Sequence, residues 1–117
     1  MAVDMAVDNV SRVTVPEIDV DELAVLREQG VVLIDVRNPD EYEGFRVPGA
    51  VLIPLPEVPE RIEEIPDDQT VYVICQTGSR SARAVEFLNR QGHDTVNVRG
   101  GSRAWRAAGR PVESGPE

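Results

Sequence analysis

Lysine is absent: all twelve basic residues are arginines, so every mechanism that needs a Schiff base or a lysine general base is excluded. Cysteine and histidine occur once each, as Cys75 and His93. A lone cysteine cannot close an internal disulfide, and one cysteine with one histidine cannot make a structural zinc cluster, so no metal is expected. Positive charge is scarce, with 21 acidic residues against 12 basic ones and a net charge of -9. A surplus of that size repels phosphate, which argues against nucleic acid or an anionic membrane as partner. Long apolar runs are missing too. The longest, Val31 to Ile34 with Val36 beyond Asp35, is far too short to span a bilayer. Acidic residues near the N-terminus replace the positive charge that a signal peptide needs, so a cytoplasmic location is expected.

What remains is enough for one core. A length of 117 residues with 41% hydrophobic and 28% charged residues fits a single globular domain. Residues 1–12, which repeat Met-Ala-Val-Asp, read as a mobile arm, residues 13–112 as the domain, and residues 113–117 as a frayed tail. Within the domain, apolar runs of strand length alternate with segments of helical period, as in a parallel sheet covered by helices. Strands are expected at Val13 to Val15, Val31 to Val36, Ala50 to Ile53, Val71 to Ile74 and Thr95 to Val98. Asp19 with Glu22 forms a capping box for a helix burying Val20, Leu23 and Leu26, and Asn38 caps a short helix that has Pro39 in its first turn. Pro54, Pro56, Pro59 and Pro66 interrupt an acidic stretch and leave room for one short helix near Glu60 to Glu64. A helix from about Ser81 to Arg90 buries Ala84, Phe87 and Leu88, and Ser102 caps a last helix carrying Trp105.

The chemistry gathers at Cys75. It stands where a buried strand hands over to a helix start, and the loop Gln76, Thr77, Gly78, Ser79, Arg80 follows. A thiol reacts as its thiolate, and the first turn of a helix offers unpaired N–H groups and a partial positive charge that favour one. Gly78, Thr77 and Ser79 are small enough for the backbone to curl round the sulfur. Arg80 brings a fixed charge able to hold an oxyanion bidentately. The competing reading, a cysteine serving as a small core hydrophobe, is the commoner fate of a free thiol. The loop that follows shifts the balance, and an arginine at a helix N-terminus, ill-placed for the dipole, points to an anion nearby.

Four segments carry a family resemblance: Asp35 to Tyr42, Val47 to Ala50 with Ile53 to Leu55, Cys75 to Ser81, and Gly100-Gly101 with Trp105. In this order the sequence resembles the rhodanese family of sulfurtransferases over nearly the whole domain. The resemblance implies an α/β fold with a five-stranded parallel sheet flanked by helices on both faces. It also implies that Cys75 takes a sulfane sulfur from thiosulfate or a persulfide and passes it to a thiol, cyanide or a sulfur-acceptor protein, with no cofactor. Asp35 and Arg37 match family positions near the loop and are assigned support, the alternative being a charged pair that holds a turn. Where the family usually has Gly-His, this chain has Phe45-Arg46, a departure that bears on packing or partner docking. Two other functions compete. One is a sulfur-relay or regulatory binding module. The other is a Cys/Arg phosphatase or arsenate reductase of the same fold, disfavoured because the six residues from Cys75 to Arg80 match the sulfurtransferase loop and phosphatases carry one more.

Overall fold

The structure, a computed structural model, describes residues 14–116. Five strands, β1 (Glu17–Ile18), β2 (Val32–Asp35), β3 (Val51–Leu52), β4 (Val71–Ile74) and β5 (Thr95–Val98), form one sheet in the order β1-β5-β4-β2-β3. Every pairing is parallel. Four helices connect them: α1 (Val20–Arg27), α2 (Pro39–Gly44), α3 (Ser79–Arg90) and α4 (Gly101–Ala107). The apolar runs become strands because both faces of the sheet are covered. On one face Val71, Val73, Ile34 and Val36 pack with Ala84, Val85 and Leu88 of α3. On the other, Leu33, Ile74 and Val98 pack with Val20 and Leu23 of α1, Tyr42 of α2 and Trp105 of α4. The α/β architecture with helices on both faces is thus the one the sequence predicts.

Local signals hold in detail at α1, where the Glu22 N–H donates to Asp19 Oδ1 at 2.8 Å and the Asp19 N–H donates to Glu22 Oε1 at 3.0 Å. Four boundaries differ from expectation. Val13 lies outside the described residues, and β1 runs later than Val13 to Val15 because the ladder to β5 begins with the Asn97 N–H donating to the Pro16 carbonyl. The proline-broken acidic stretch makes two 3-10 turns, Leu55–Glu57 and Ile62–Glu64, in place of one short helix. Helix α3 starts at Ser79, two residues early, behind a left-handed Gly78 at φ 106°. Helix α4 is preceded by Gly100 at φ 84°, and Ser102, the expected cap, is buried inside its first turn.

Glu113, expected in a frayed tail, exchanges two backbone hydrogen bonds with Arg46, at 2.8 and 3.0 Å. The Arg46 side chain, 6% exposed, reinforces this by donating to the carbonyls of Tyr42 at 3.0 Å and Gly115 at 2.8 Å. The arginine of the Phe45-Arg46 departure therefore ties the C-terminal segment to the end of α2. Phe45 itself lies between the guanidinium groups of Arg37 and Arg106, with its ring centroid 5.3 and 4.1 Å away.

Candidate active site

In an open parallel sheet, ligands gather beyond the carboxyl ends of neighbouring strands whose following connections leave in opposite directions. Here that point lies between β2 and β4. The chain leaves β2 through α2, which packs on one face, and leaves β4 through α3, which packs on the other. Asp35 pairs in register with Ile74, so Asp35 and Cys75 emerge side by side at this crevice. A cavity of about 400 Å³ lined by Ile62, Ile65, Pro66 and His93 lies before the starts of β4 and β5, at the opposite end of the sheet. The candidate site is therefore taken from the strand termini, not from cavity size.

Cys75 is fully buried. Its Sγ accepts the Gly78 N–H at 3.1 Å and lies 3.3 Å from Ser81 Oγ. Burial, the largest influence on this thiol, works against ionisation. The Ser81 hydroxyl and the N–H groups of Ser81, Gly78 and Thr77 work for it, and together they prevail, so the thiol titrates below its ordinary value. The positive φ of Gly78 turns its N–H toward sulfur, and a side chain there would press on the backbone of Gly100 at 3.3 Å. Helix α4 holds the loop from behind: the Ser102 N–H donates to the Cys75 carbonyl at 2.8 Å, and the Arg103 N–H to the Gln76 carbonyl at 3.0 Å. Gly101, at φ 64°, makes that approach possible, since a Cβ would stand 2.4 Å from both carbonyl oxygens.

The remaining predicted residues divide into two groups. Gln76 is half-buried, and Thr77 and Ser79 are exposed around the thiol. Arg80 lies close enough to feel the charges of Cys75 and Asp35, but its fork is occupied: Nη1 and Nη2 each donate to Glu41 of α2 at 2.9 Å. The ion pair joins the two helices that leave the crevice from opposite faces. Asp35 and Arg37 are engaged mainly with each other, and Arg37 Nη1 is buried without a hydrogen-bond partner. They form a fully buried pair, with Arg37 Nη2 2.8 Å from Asp35 Oδ2 and donating also to the Phe45 carbonyl at 2.7 Å. Such a pair braces the β2–α2 turn, and removing either partner would strand a buried charge.

Sequence reasoning missed Glu41, Asn97 and Glu17 as site residues, and placed Ser81 at the end of the resembling loop and the start of a helix without giving it a role. Glu41 carries a signal in retrospect, an acidic residue three positions after a cap, yet that pattern announces only the bond it makes to the Asn38 N–H, at 2.9 Å. Asn97, a fully amide side chain inside an apolar strand and 1% exposed, is the stronger signal, because a buried amide needs partners. Among the described residues no group of three His, Cys, Asp or Glu side chains is placed to hold a metal ion, and no helix is long and apolar enough to cross a membrane.

Comparison with known proteins agrees with this geometry. The rhodanese-like domain family matches residues 19–108. A sulfurtransferase of Allochromatium vinosum is 38% identical over 101 residues, covering 84% of this chain and 94% of the relative. The thiosulfate sulfurtransferase GlpE of Pseudomonas syringae pv. syringae is 36% identical over 87 residues, covering 74% and 82%. Among solved structures, a rhodanese-related protein from Thermoplasma volcanium superposes with a TM-score of 0.78 at 34% identity, covering 84% of this chain and 97% of that one. With a strand-to-helix cysteine loop at the crevice of a five-stranded parallel sheet, and relatives that carry sulfur-transfer names across nearly their whole length, this chain belongs to the rhodanese-like family.

Proposed function

We propose that this protein is a sulfurtransferase that carries a sulfane sulfur as a persulfide on Cys75. The observation that carries the reading is the buried Cys75 sulfur at the carboxyl end of β4, 3.1 Å from the Gly78 N–H and 3.3 Å from the Ser81 hydroxyl. With thiosulfate as donor, the Cys75 thiolate attacks the outer sulfur. The new S–S bond forms as the old one breaks, sulfite leaves with the bonding pair, and Cys75 holds an S–S anion. A thiophilic acceptor then attacks the terminal sulfur: cyanide leaves as thiocyanate, or a thiolate as a new persulfide, and the Cys75 thiolate returns. The N–H groups that favour the thiolate also favour the persulfide anion, because both place negative charge in the same nest. Gln76, Thr77 and Ser79 are neutral, so recognition of an anionic donor falls to the loop N–H groups and to Arg80, which must share its fork with Glu41.

Mass spectrometry after exposure to thiosulfate tests the reading. Wild type gains one sulfur, which cyanide removes, and Cys75→Ser gains none. A wild-type mass unchanged by thiosulfate and by organic persulfides would overturn the proposal.

A further inference from the structure

Ser81 has one hydroxyl proton and two neighbours that want it. Its Oγ lies 3.3 Å from Cys75 Sγ and 2.5 Å from Asn97 Oδ1. The Asn97 amide is oriented by its other end, where Nδ2 donates to the Gly78 carbonyl at 3.1 Å and to Glu17 Oε2 at 3.0 Å. Both of those atoms only accept, so the nitrogen must face them and the oxygen must face Ser81. Glu17 is held for this purpose by the sheet itself, since Glu17 and Asn97 are register partners across β1 and β5. All of Ser81 and nearly all of Asn97 are buried, so water cannot supply a missing partner cheaply.

We propose that Asn97 is a positioning residue for the sulfur nucleophile, competing with Cys75 Sγ for the single proton of Ser81. In the thiol, the Cys75 S–H donates to Ser81 Oγ, which donates to Asn97. When the thiol proton leaves to solvent base, the hydroxyl turns to the sulfur anion, and Asn97 Oδ1 loses its donor. Asn97 thus restrains the acidity that the loop N–H groups create. The hydroxyl changes partner each time the sulfur gains or loses its proton or its extra sulfur. This rests on Cys75 being the nucleophile. The charged groups around the sulfur are Arg80 on α3, Glu41 on α2 paired to Arg80, Asp35 on β2 paired to Arg37, and Glu17 on β1 behind Asn97, and none of them is itself substituted in the variants below.

The test titrates Cys75 by its rate of alkylation against pH and by thiolate absorbance, with circular dichroism to verify folding. Ser81→Ala raises the midpoint. Asn97→Leu lowers it, by about half to one pH unit, the shift equivalent to one neutral hydrogen bond. In the Ser81→Ala background, Asn97→Leu has no further effect, because Asn97 acts only through the hydroxyl. If Asn97→Leu fails to fold, Asn97→Asp decides. Its carboxylate still accepts from Ser81 and raises the midpoint, and the rise is larger with Ser81 present than in the Ser81→Ala background. A midpoint raised by Asn97→Leu, or an Asn97 effect of equal size with and without Ser81, would mean that Asn97 merely anchors the loop, and the proposal would be wrong. The titration reads the thiol alone, so its failure is distinct from a failure of wild type to take up sulfur from thiosulfate.

Discussion

Arg80 and Glu41 face each other across the crevice, with two hydrogen bonds of 2.9 Å between their planar groups. The hydrogen bond from Arg80 is the main reason the Glu41 carboxyl is held at about 2. Partial burial opposes it, while the Asn38 N–H and the charges of Arg80 and Arg37 assist. An arginine that sequence alone suggests for an incoming anion is thus held by an anion of the protein's own.

That arrangement makes donor choice testable. Arg80→Ala lowers sulfur transfer from thiosulfate by roughly tenfold to a hundredfold, the worth of a charge-assisted contact to the sulfonate, and lowers transfer from a small organic persulfide much less. Glu41→Gln keeps an acceptor for the Asn38 N–H but removes the competing charge, so it moves the ratio of the two rates toward thiosulfate. Rate measurements with both donors decide the matter. Equal losses in Arg80→Ala would assign Arg80 to holding the loop instead of binding the donor.

The same pair gives stability a pH dependence of known sign. A carboxyl with a depressed folded value contributes stability that is fully present above its unfolded value of 4.5 and is lost as pH falls through about 2. Denaturant unfolding between those limits is expected to show wild type losing stability faster than Glu41→Gln, with the two curves running parallel above pH 5. Parallel curves throughout would mean that the pair adds nothing to the folded state, as for many exposed ion pairs.

Gly101 provides a third test. Gly101→Ala meets the Cys75 and Gln76 carbonyls at 2.4 Å in addition to its left-handed backbone, whereas Gly92→Ala, at φ 95°, meets only open space. Both variants pay for the conformation, about 1 to 3 kcal/mol. Only Gly101→Ala is expected to lose more than that in denaturant unfolding and to slow alkylation of Cys75 by displacing the loop. Equal stability losses and equal thiol reactivity in the two would show that the close approach of α4 is not needed.

The sequence by itself determined the layers and most of the elements, and it pointed to the cysteine on which the proposed function rests. Val71 to Ile74 reads as a buried strand, Asp19 with Glu22 reads as a helix start, and the small-residue loop between Val71–Ile74 and the next helix drew attention to Cys75. Such signals are local, because each depends on neighbours within a few residues in the chain. What the tertiary structure decided is who meets whom. Glu41 reaches Arg80 across 39 residues and Asn97 reaches Glu17 across 80, distances over which no periodicity operates. Arg46, a departure in the sequence, became the anchor of Glu113 and Gly115 only once the chain had folded back. Helix starts shifted too: Ser81, the expected helix start, and Ser102, the expected cap, both lie buried inside their helices, and the residues before those helices are the left-handed Gly78 and Gly100. Composition supplies the groups, but the parallel sheet, by bringing the ends of β2, β4 and β5 together, selects the partners each buried polar group must have.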